Sequence, residues 1–228
     1  MIRLLLRSGT LALMVLVAGC AVNQESADFT AFHDAQPKSI LVVPVVNESV
    51  DVQAPLSVLT TLPKTLGEKG YYIFPVNTVK TLLEYEGLYE PAVIHNTPPE
   101  QLASLFGADA ILYVTIHEWT AQYVVLQTTT VVDFEYRIVN HDGAELWSAR
   151  KQLSYTPQNH SSGNPLADLI ASAITAALER ADPNYLPLTR QANQQVFYQG
   201  ATAIPPGPYS PNYKEYYLAL ENQEETAD

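Results

Sequence analysis

The stretch Ser39-Ile40-Leu41-Val42-Val43-Pro44-Val45-Val46 decides the fold of this chain. It is short, almost continuously apolar and rich in β-branched side chains, a pattern typical of a strand buried on both faces. Such a strand indicates a parallel or mixed sheet that is covered by helices. Pro44 has no backbone N–H, so it predicts that the hydrogen-bonded ladder ends or bulges at this residue.

Helical and strand patterns alternate downstream of this strand. Leucines at helical spacing predict a helix over residues 55–69, which Pro63 should kink or split and which Gly70 should end. The next predicted elements are a strand at 71–76, a helix at 77–86 with Asn77 as its N-cap, and a loop at 87–96.

A capping box marks the next helix. Thr97 and Glu100 flank two prolines and predict a helix over residues 98–106 that stops at Gly107. Three strands should follow, at 111–119, about 123–139 and 144–155, with His141-Asp142-Gly143 as the turn between the last two. In the middle strand, apolar residues alternate with polar ones, which predicts an antiparallel strand with one solvated face.

The remaining periodic segments complete the predicted order of elements. An apolar stripe from Leu166 to Leu178 predicts a helix over residues 165–181, and a further helix is expected at 188–198. The order β-α-β-α-α-β-β-β-α predicts an α/β fold, with a mixed sheet of about five strands covered by helices and a carboxyl-terminal extension.

The amino terminus has the layout of a secretory signal peptide. Arg3 and Arg7 give a positive start, Leu11–Val17 an apolar core too short for an ordinary membrane span, and Ala18-Gly19 a small-residue exit. The last residues, Val17-Ala18-Gly19-Cys20, resemble the lipobox of bacterial lipoproteins. The alternatives are a signal peptide cut elsewhere and a short membrane anchor.

The lipobox resemblance implies cleavage between Gly19 and Cys20 and lipid modification of the chain's single cysteine. The expected groups are a diacylglycerol on the thiol and an acyl chain such as palmitate on the new amino group. No other cofactor is predicted. More than one acyl chain gives stable membrane anchoring without a spanning helix. By resemblance to enteric sorting rules, Ala21 after the cysteine favours the outer membrane, on its periplasmic face.

The predicted domain organisation follows from these patterns. It comprises a signal peptide (1–19), a lipidated tether (20–37), an α/β domain (38–183), an extension packed on the domain or on a partner (184–220) and an acidic disordered tail (221–228). Removal of the signal peptide also removes Arg3 and Arg7, so the net charge changes from −12 to −14. Such a chain repels nucleic acid and anionic lipid surfaces.

The order of elements resembles the amino-terminal domain of TolB-like periplasmic proteins, and also the curli-secretion and penicillin-binding-protein-activator lipoproteins. Two segments, Leu66–Val76 and Pro206-Gly207-Pro208-Tyr209, look like parts of a family of bacterial lipoproteins of unknown function. That family has no established catalytic residues to carry over. The resemblance implies placement at the outer membrane and partners among other envelope lipoproteins, including curli-secretion-like ones.

Motifs for catalysis or metal binding do not emerge from the sequence. His117-Glu118-Trp119 begins like a zinc-protease motif, but no second histidine follows at the required spacing. Asp133, Glu135 and Arg137 share one face of a strand, where cross-strand pairing is favoured over a catalytic set. We therefore assign no catalytic residues and no metal ligands, and we expect the protein not to be an enzyme.

Tyrosines near the carboxyl terminus indicate a surface for protein contacts, because tyrosine is enriched at interfaces. The residues are Tyr209, Tyr213, Tyr216 and Tyr217. The same segment could instead fold back over its own sheet, and assembly into a homo-oligomer through it is compatible with both interpretations.

Two functions are left open by these observations. The first is a non-catalytic interaction and assembly module that is anchored in the cell envelope by lipid. The second is a periplasmic hydrolase or small-ligand-binding protein, with a site at the carboxyl ends of the first two strands near Asn47 and Val76. A cleft with convergent polar side chains at that place favours the second function, and an apolar surface favours the first.

The lipobox generates a testable prediction. We expect Cys20→Ser to leave the protein exported but unacylated, so that it moves from the membrane to the soluble fraction. Fractionation and labelling with radioactive palmitate measure this. Continued sedimentation of the variant with membranes, together with an unlabelled wild type, would contradict the lipobox interpretation.

Overall fold

The computed structural model describes residues 28–124, 127–155 and 185–225. The predicted signal peptide, Cys20 and the predicted helix at 165–181 lie outside these ranges. The helices are α1 (Thr30–Ala35), α2 (Ala54–Glu68), α3 (Val76–Tyr85), α4 (Pro91–Asn96), α5 (Pro99–Phe106), α6 (Leu186–Tyr198) and α7 (Tyr213–Glu225), with a 3-10 turn at Gly200–Thr202. The strands are β1 (Ser39–Val42), β2 (Val46–Asn47), β3 (Tyr72–Ile73), β4 (Ala110–Val124), β5 (Gln127–Asn140) and β6 (Glu145–Tyr155).

The strands form one mixed sheet in the order β3-β1-β4-β5-β6, and β2 also pairs with β4. β1 is parallel to β3 and β4, whereas β5 and β6 continue the sheet as an antiparallel meander. The predicted α/β class and mixed sheet are confirmed. The sheet has six strands rather than about five, because the first apolar run is interrupted at Pro44 and pairs with β4 in two separate pieces.

Helices cover both faces of the parallel part of the sheet. On one face, α2 and α6 pack over a core that includes Ile40, Leu62 and Phe197. On the other, α3, α4 and α5 enclose a second core around Leu41 and Ile111. Adjacent residues of β1 therefore belong to different cores, and all four residues of the strand are buried, as the continuous apolar run predicts.

The alternation in β5 is confirmed. Its apolar face, which includes Phe134 and Tyr136, is fully buried in the first core. The turn at 141–143 joins β5 to β6 as predicted. A β-bulge between Ile116 and Glu118 adds one residue, His117, to β4.

Helix boundaries differ from the predictions at several places. The Thr97 capping box is wrong, because α4 occupies part of the predicted loop and the Thr97 hydroxyl donates to the Val93 carbonyl oxygen (2.9 Å) at the end of that helix. Pro98 is the N-cap of α5 instead. Pro75, not Asn77, caps α3. α2 continues through Pro63 without a break.

Both ends of the described chain are more ordered than the sequence indicated. The predicted tether contains α1 from residue 30 onward, because Phe32 is fully buried in the first core. The predicted disordered tail begins inside α7, which extends to Glu225. α7 carries apolar and aromatic residues in its first two turns, and these give it a surface to pack on the domain.

A buried polar network joins three elements through the first core. The Tyr136 hydroxyl of β5 donates to Asn193 Oδ1 on α6 (2.7 Å), and Asn193 Nδ2 donates to the Thr61 hydroxyl on α2 (2.9 Å). Tyr136 and Asn193 have no solvent exposure. Since a buried polar group without a partner costs about 1–3 kcal/mol, this network fixes how α2 and α6 sit on the sheet.

Two chain segments that are distant in sequence cross at Gly70 and Gly207. Gly70 has a φ of 99°, and a Cβ atom added to either glycine would lie less than 3.0 Å from backbone atoms of the other segment. The Gly207 N–H donates to the Lys69 carbonyl oxygen and the Tyr209 N–H to that of Gly70, both at 3.0 Å. The buried Tyr71 hydroxyl donates to the Pro205 carbonyl oxygen (2.7 Å).

This crossing generates a prediction with a matched control. We expect Gly207→Ala to lower the free energy of unfolding by about 1–3 kcal/mol, because the added methyl group would push two backbones apart. Gly67→Ala is the control, since Gly67 lies in α2 with nothing within 4 Å of an added Cβ, and alanine favours the helix. Thermal and urea unfolding of both variants measure the difference. Equal stability of the two variants would contradict the crossing.

Candidate functional site

An apolar groove opens at the carboxyl end of β1, where the chain leaves the sheet. The cavity has a volume of about 230 Å³. Its lining residues, which come from β1–β2, α2, α3, α4 and the loops between them, are Pro44, Val45, Val52, Pro55, Leu56, Leu59, Lys80, Leu83, Glu84, Leu88, Tyr89, Pro91 and Ile94.

The floor of the groove depends on Pro44. Its carbonyl oxygen accepts a hydrogen bond from His95 Nε2 of α4 (2.9 Å). The His95 ring also contacts Tyr113 of β4, with 5.0 Å between ring centroids. Burial lowers the pKa of His95, which keeps the imidazole neutral near pH 7. These contacts hold α4 against the sheet and fix one wall of the groove.

The opposite wall is the first turn of α2. Pro55 lies at the start of this helix, where its missing N–H is not needed. The helix buries Val58 and Leu62 against the sheet. Leu56 and Leu59 line the groove, and Leu59 also packs against the edge of the first core.

The apolar side chains at the rim of the groove are strongly exposed to solvent. Val52 is 85% exposed, Tyr89 69% and Leu56 59%. Val50 and Tyr85, which are near lining residues in sequence, are also exposed. Isolated exposed apolar residues are common, but a contiguous group around a concave surface marks a binding site.

Neither Asn47 nor Val76, the residues near which a polar ligand site was predicted, lines this groove. Asn47 closes a local turn, since its Nδ2 donates to the Asp51 carbonyl oxygen (2.8 Å) and its Oδ1 accepts from the Ser49 hydroxyl (2.7 Å). Val76 is the first residue of α3. Neither residue presents a free polar group to a ligand, so the geometry meets the condition that favours an interaction module.

Charged side chains gather elsewhere, on the open face of β4, β5 and β6. His117 lies between two carboxylates, with Nδ1 2.6 Å from Glu48 Oε2 and Nε2 2.8 Å from Glu135 Oε2. The hydrogen bond to Glu135, supported by Glu48, raises the pKa of His117. Carboxylates at both ring nitrogens favour the doubly protonated imidazolium, and they occupy the two atoms through which the ring could exchange a proton.

The other charged residues of this face are also paired. Arg150 of β6 donates to both carboxylate oxygens of Asp133, at 3.1 and 2.7 Å. Arg137 lies over the Tyr113 ring, 4.9 Å from its centroid. Asp133, Glu135 and Arg137 therefore have separate partners, as predicted for cross-strand pairing. Within the ranges that the structure describes, no three His, Cys, Asp or Glu side chains could together hold a metal ion.

Three of the four predicted interface tyrosines face the domain itself. On α7, the Tyr216 hydroxyl lies 2.9 Å from His33 Nε2, and the Tyr213 hydroxyl donates to Gln36 Oε1 (3.2 Å). Burial, with the neighbouring tyrosines, raises the pKa of Tyr217 to about 12. Tyr209 is held by its backbone at Gly70 while its side chain is exposed. In the described chain, the extension thus folds back on its own domain.

Sequence reasoning missed the groove because it missed α4. The signal available was weak, namely Pro91 after Glu90, the pattern of a helix start with proline in its first turn. The predicted Gly19–Cys20 cleavage site and lipidation site lie outside the described residues. None of the helices within those residues is both long and apolar enough to cross a membrane.

Comparison with known proteins identifies a family of lipoproteins. The profile of the family "Putative lipoprotein GNA1162-like" matches residues 27–209. A relative from Neisseria meningitidis serogroup B (strain MC58), named "Putative lipoprotein NMB1124/NMB1162", is 37% identical over 166 residues, which cover 72% of this chain and 76% of the relative.

A solved structure agrees with the sequence match. The crystal structure of lipoprotein GNA1162 from Neisseria meningitidis is 37% identical, with a TM-score of 0.52, and the match covers 62% of this chain and 98% of that one. The matched range contains both segments on which the family resemblance rests, Leu66–Val76 and 206–209, and these are the segments that cross at Gly70 and Gly207. The chain belongs to the GNA1162-like lipoprotein family.

Proposed function

We propose that this protein is a lipid-anchored interaction module on the periplasmic face of the outer membrane, and that it binds another envelope protein through the apolar groove. The observation that carries the proposal is the character of the surface at the carboxyl end of β1. α/β sheets place their ligands there, and this surface is apolar, concave and exposed.

The described polar clusters support a non-catalytic role. A general base needs a free lone pair within reach of a substrate, whereas both nitrogens of His117 are bound to carboxylates. Asp133 is held by Arg150 in a two-pronged ion pair. These groups link β4, β5 and β6, and the two charged residues that line the groove, Lys80 and Glu84, bind each other (2.7 Å).

Lipid on Cys20 would determine where in the cell envelope the domain acts. The described chain begins at Asp28, eight residues after Cys20. Even a fully extended segment of this length reaches only roughly 30 Å, so lipid on Cys20 would keep the domain close to the bilayer. Family membership and the resemblance to other envelope lipoproteins, including curli-secretion-like ones, direct the search for partners to proteins of the same compartment. The proposal also includes assembly of the protein into a homo-oligomer.

Site-specific photocrosslinking in intact cells tests the function. A photoreactive amino acid is placed at Leu56 in the groove or, as a matched control, at Leu218 on α7. The two leucines are 59% and 58% exposed. We expect position 56 to capture a defined envelope protein, identified by mass spectrometry, and position 218 to capture much less of it. The adduct should decrease with Cys20→Ser, which removes the anchor.

Two results would contradict the proposal. The first is the absence of protein adducts at position 56 in cells that contain the correctly localised protein. The second is an equal yield at both positions, which would show that the groove is no more than ordinary exposed surface.

A further inference from the structure

The chain segments around the apolar groove carry more acidic than basic residues. Glu84 lines the groove, and Asp51, Glu86 and Glu90 lie within two positions in sequence of a lining residue and form its border; all four are at least partly exposed. Lys80, the basic residue among the described lining side chains, is paired with Glu84 at 2.7 Å. The border therefore has an excess of negative charge around an apolar centre.

We propose that the groove receives a protein segment whose large apolar side chains are flanked by lysine or arginine. This inference rests on the proposed function and names the chemistry of the partner. The residues that flank the apolar side chains of the partner should be basic, because a partner with acidic residues there would be repelled by the border and would associate more slowly. The apolar walls supply the anchor sites, since buried apolar contacts at the centre of an interface carry most of the binding free energy.

The size of the cavity fits anchor side chains better than a free small molecule. Sites for drug-sized ligands usually enclose about 300–1,000 Å³ and bury most of the ligand. This groove has about 230 Å³ and is continuous with the exposed side chains of Val52, Leu56 and Tyr89. A protein segment could insert one or two side chains into the cavity and lie across the exposed apolar rim.

Charge also argues against two other occupants. A second copy of this chain would bring the same acidic border against itself in a two-fold dimer, and each copy has a net charge of −12. An anionic lipid surface would be repelled by the same border. A basic-flanked segment of a different protein satisfies both the apolar centre and the charged rim.

Selection from a random peptide library displayed on phage tests the inference directly. The full mature chain with Cys20→Ser is immobilised, and enriched peptides are sequenced and measured by fluorescence anisotropy. We expect enriched peptides to contain at least two large apolar residues with lysine or arginine around them. Their affinity should fall about tenfold or more with Leu56→Asp and stay unchanged with Leu218→Asp.

Charge reversal at the border provides an independent variant. Glu86→Lys combined with Glu90→Lys leaves the apolar walls in place, and we expect it to weaken binding of the basic peptides and to reduce the salt dependence of their affinity. Thermal unfolding checks that each variant is folded. Leu56, Glu86 and Glu90 are exposed, so little change in melting temperature is expected.

The outcomes separate this inference from the function on which it rests. Enriched peptides that are acidic or neutral, or that bind Leu56→Asp as well as the parent, overturn the basic-flanked occupant while crosslinking at position 56 can still succeed. No enrichment, together with binding to phosphatidylglycerol vesicles or self-association in sedimentation equilibrium that Leu56→Asp abolishes, assigns the groove to lipid or to a second copy and also overturns it. The inference is also overturned if no peptide is enriched and the protein neither binds the vesicles nor self-associates.

Discussion

The close contact between Gly70 and Gly207 is the constraint on which the carboxyl-terminal extension of the described chain depends. Two backbones approach there more closely than any side chain allows, and hydrogen bonds from Gly207 and Tyr209 fasten the extension beside the edge strand β3. From this point the chain continues into α7, which packs on α1. The two sequence segments that look most like the family are therefore two halves of one backbone contact.

Much of the fold could be predicted from the sequence because burial follows periodicity. The continuous apolar run of β1 and the alternation in β5 show which faces are covered, although Asp133 and Val139 on the other face of β5 are also buried. The errors fall where local signals compete with packing. The Thr97 side chain is of the type that caps helices, but its hydroxyl donates to the Val93 carbonyl oxygen at the end of α4 instead. The short helix α1 has no sustained period of its own, and the single buried side chain of Phe32 holds it to the core.

The candidate site was harder to predict because its walls come from four separate parts of the chain. No local motif marks Leu56, Leu83 and Tyr89 as neighbours, and only the assembled helices bring them together. Composition drew attention to the tyrosines of the extension instead. Their amphipathic side chains are equally suited to intramolecular packing, and in the structure Tyr213, Tyr216 and Tyr217 contact α1 and one another. The residue types indicated that the segment makes contacts, but they did not show whether it contacts its own domain or another protein.

The position of α1 has a consequence for how the whole protein is presented. This helix lies against the first residues of β6, at the end of the sheet where β1 and β4 also begin. The groove lies beyond the last residue of β1, so the length of this strand separates it from α1. A ligand in the groove would therefore leave α1, and with it the point where the chain enters the domain, uncovered.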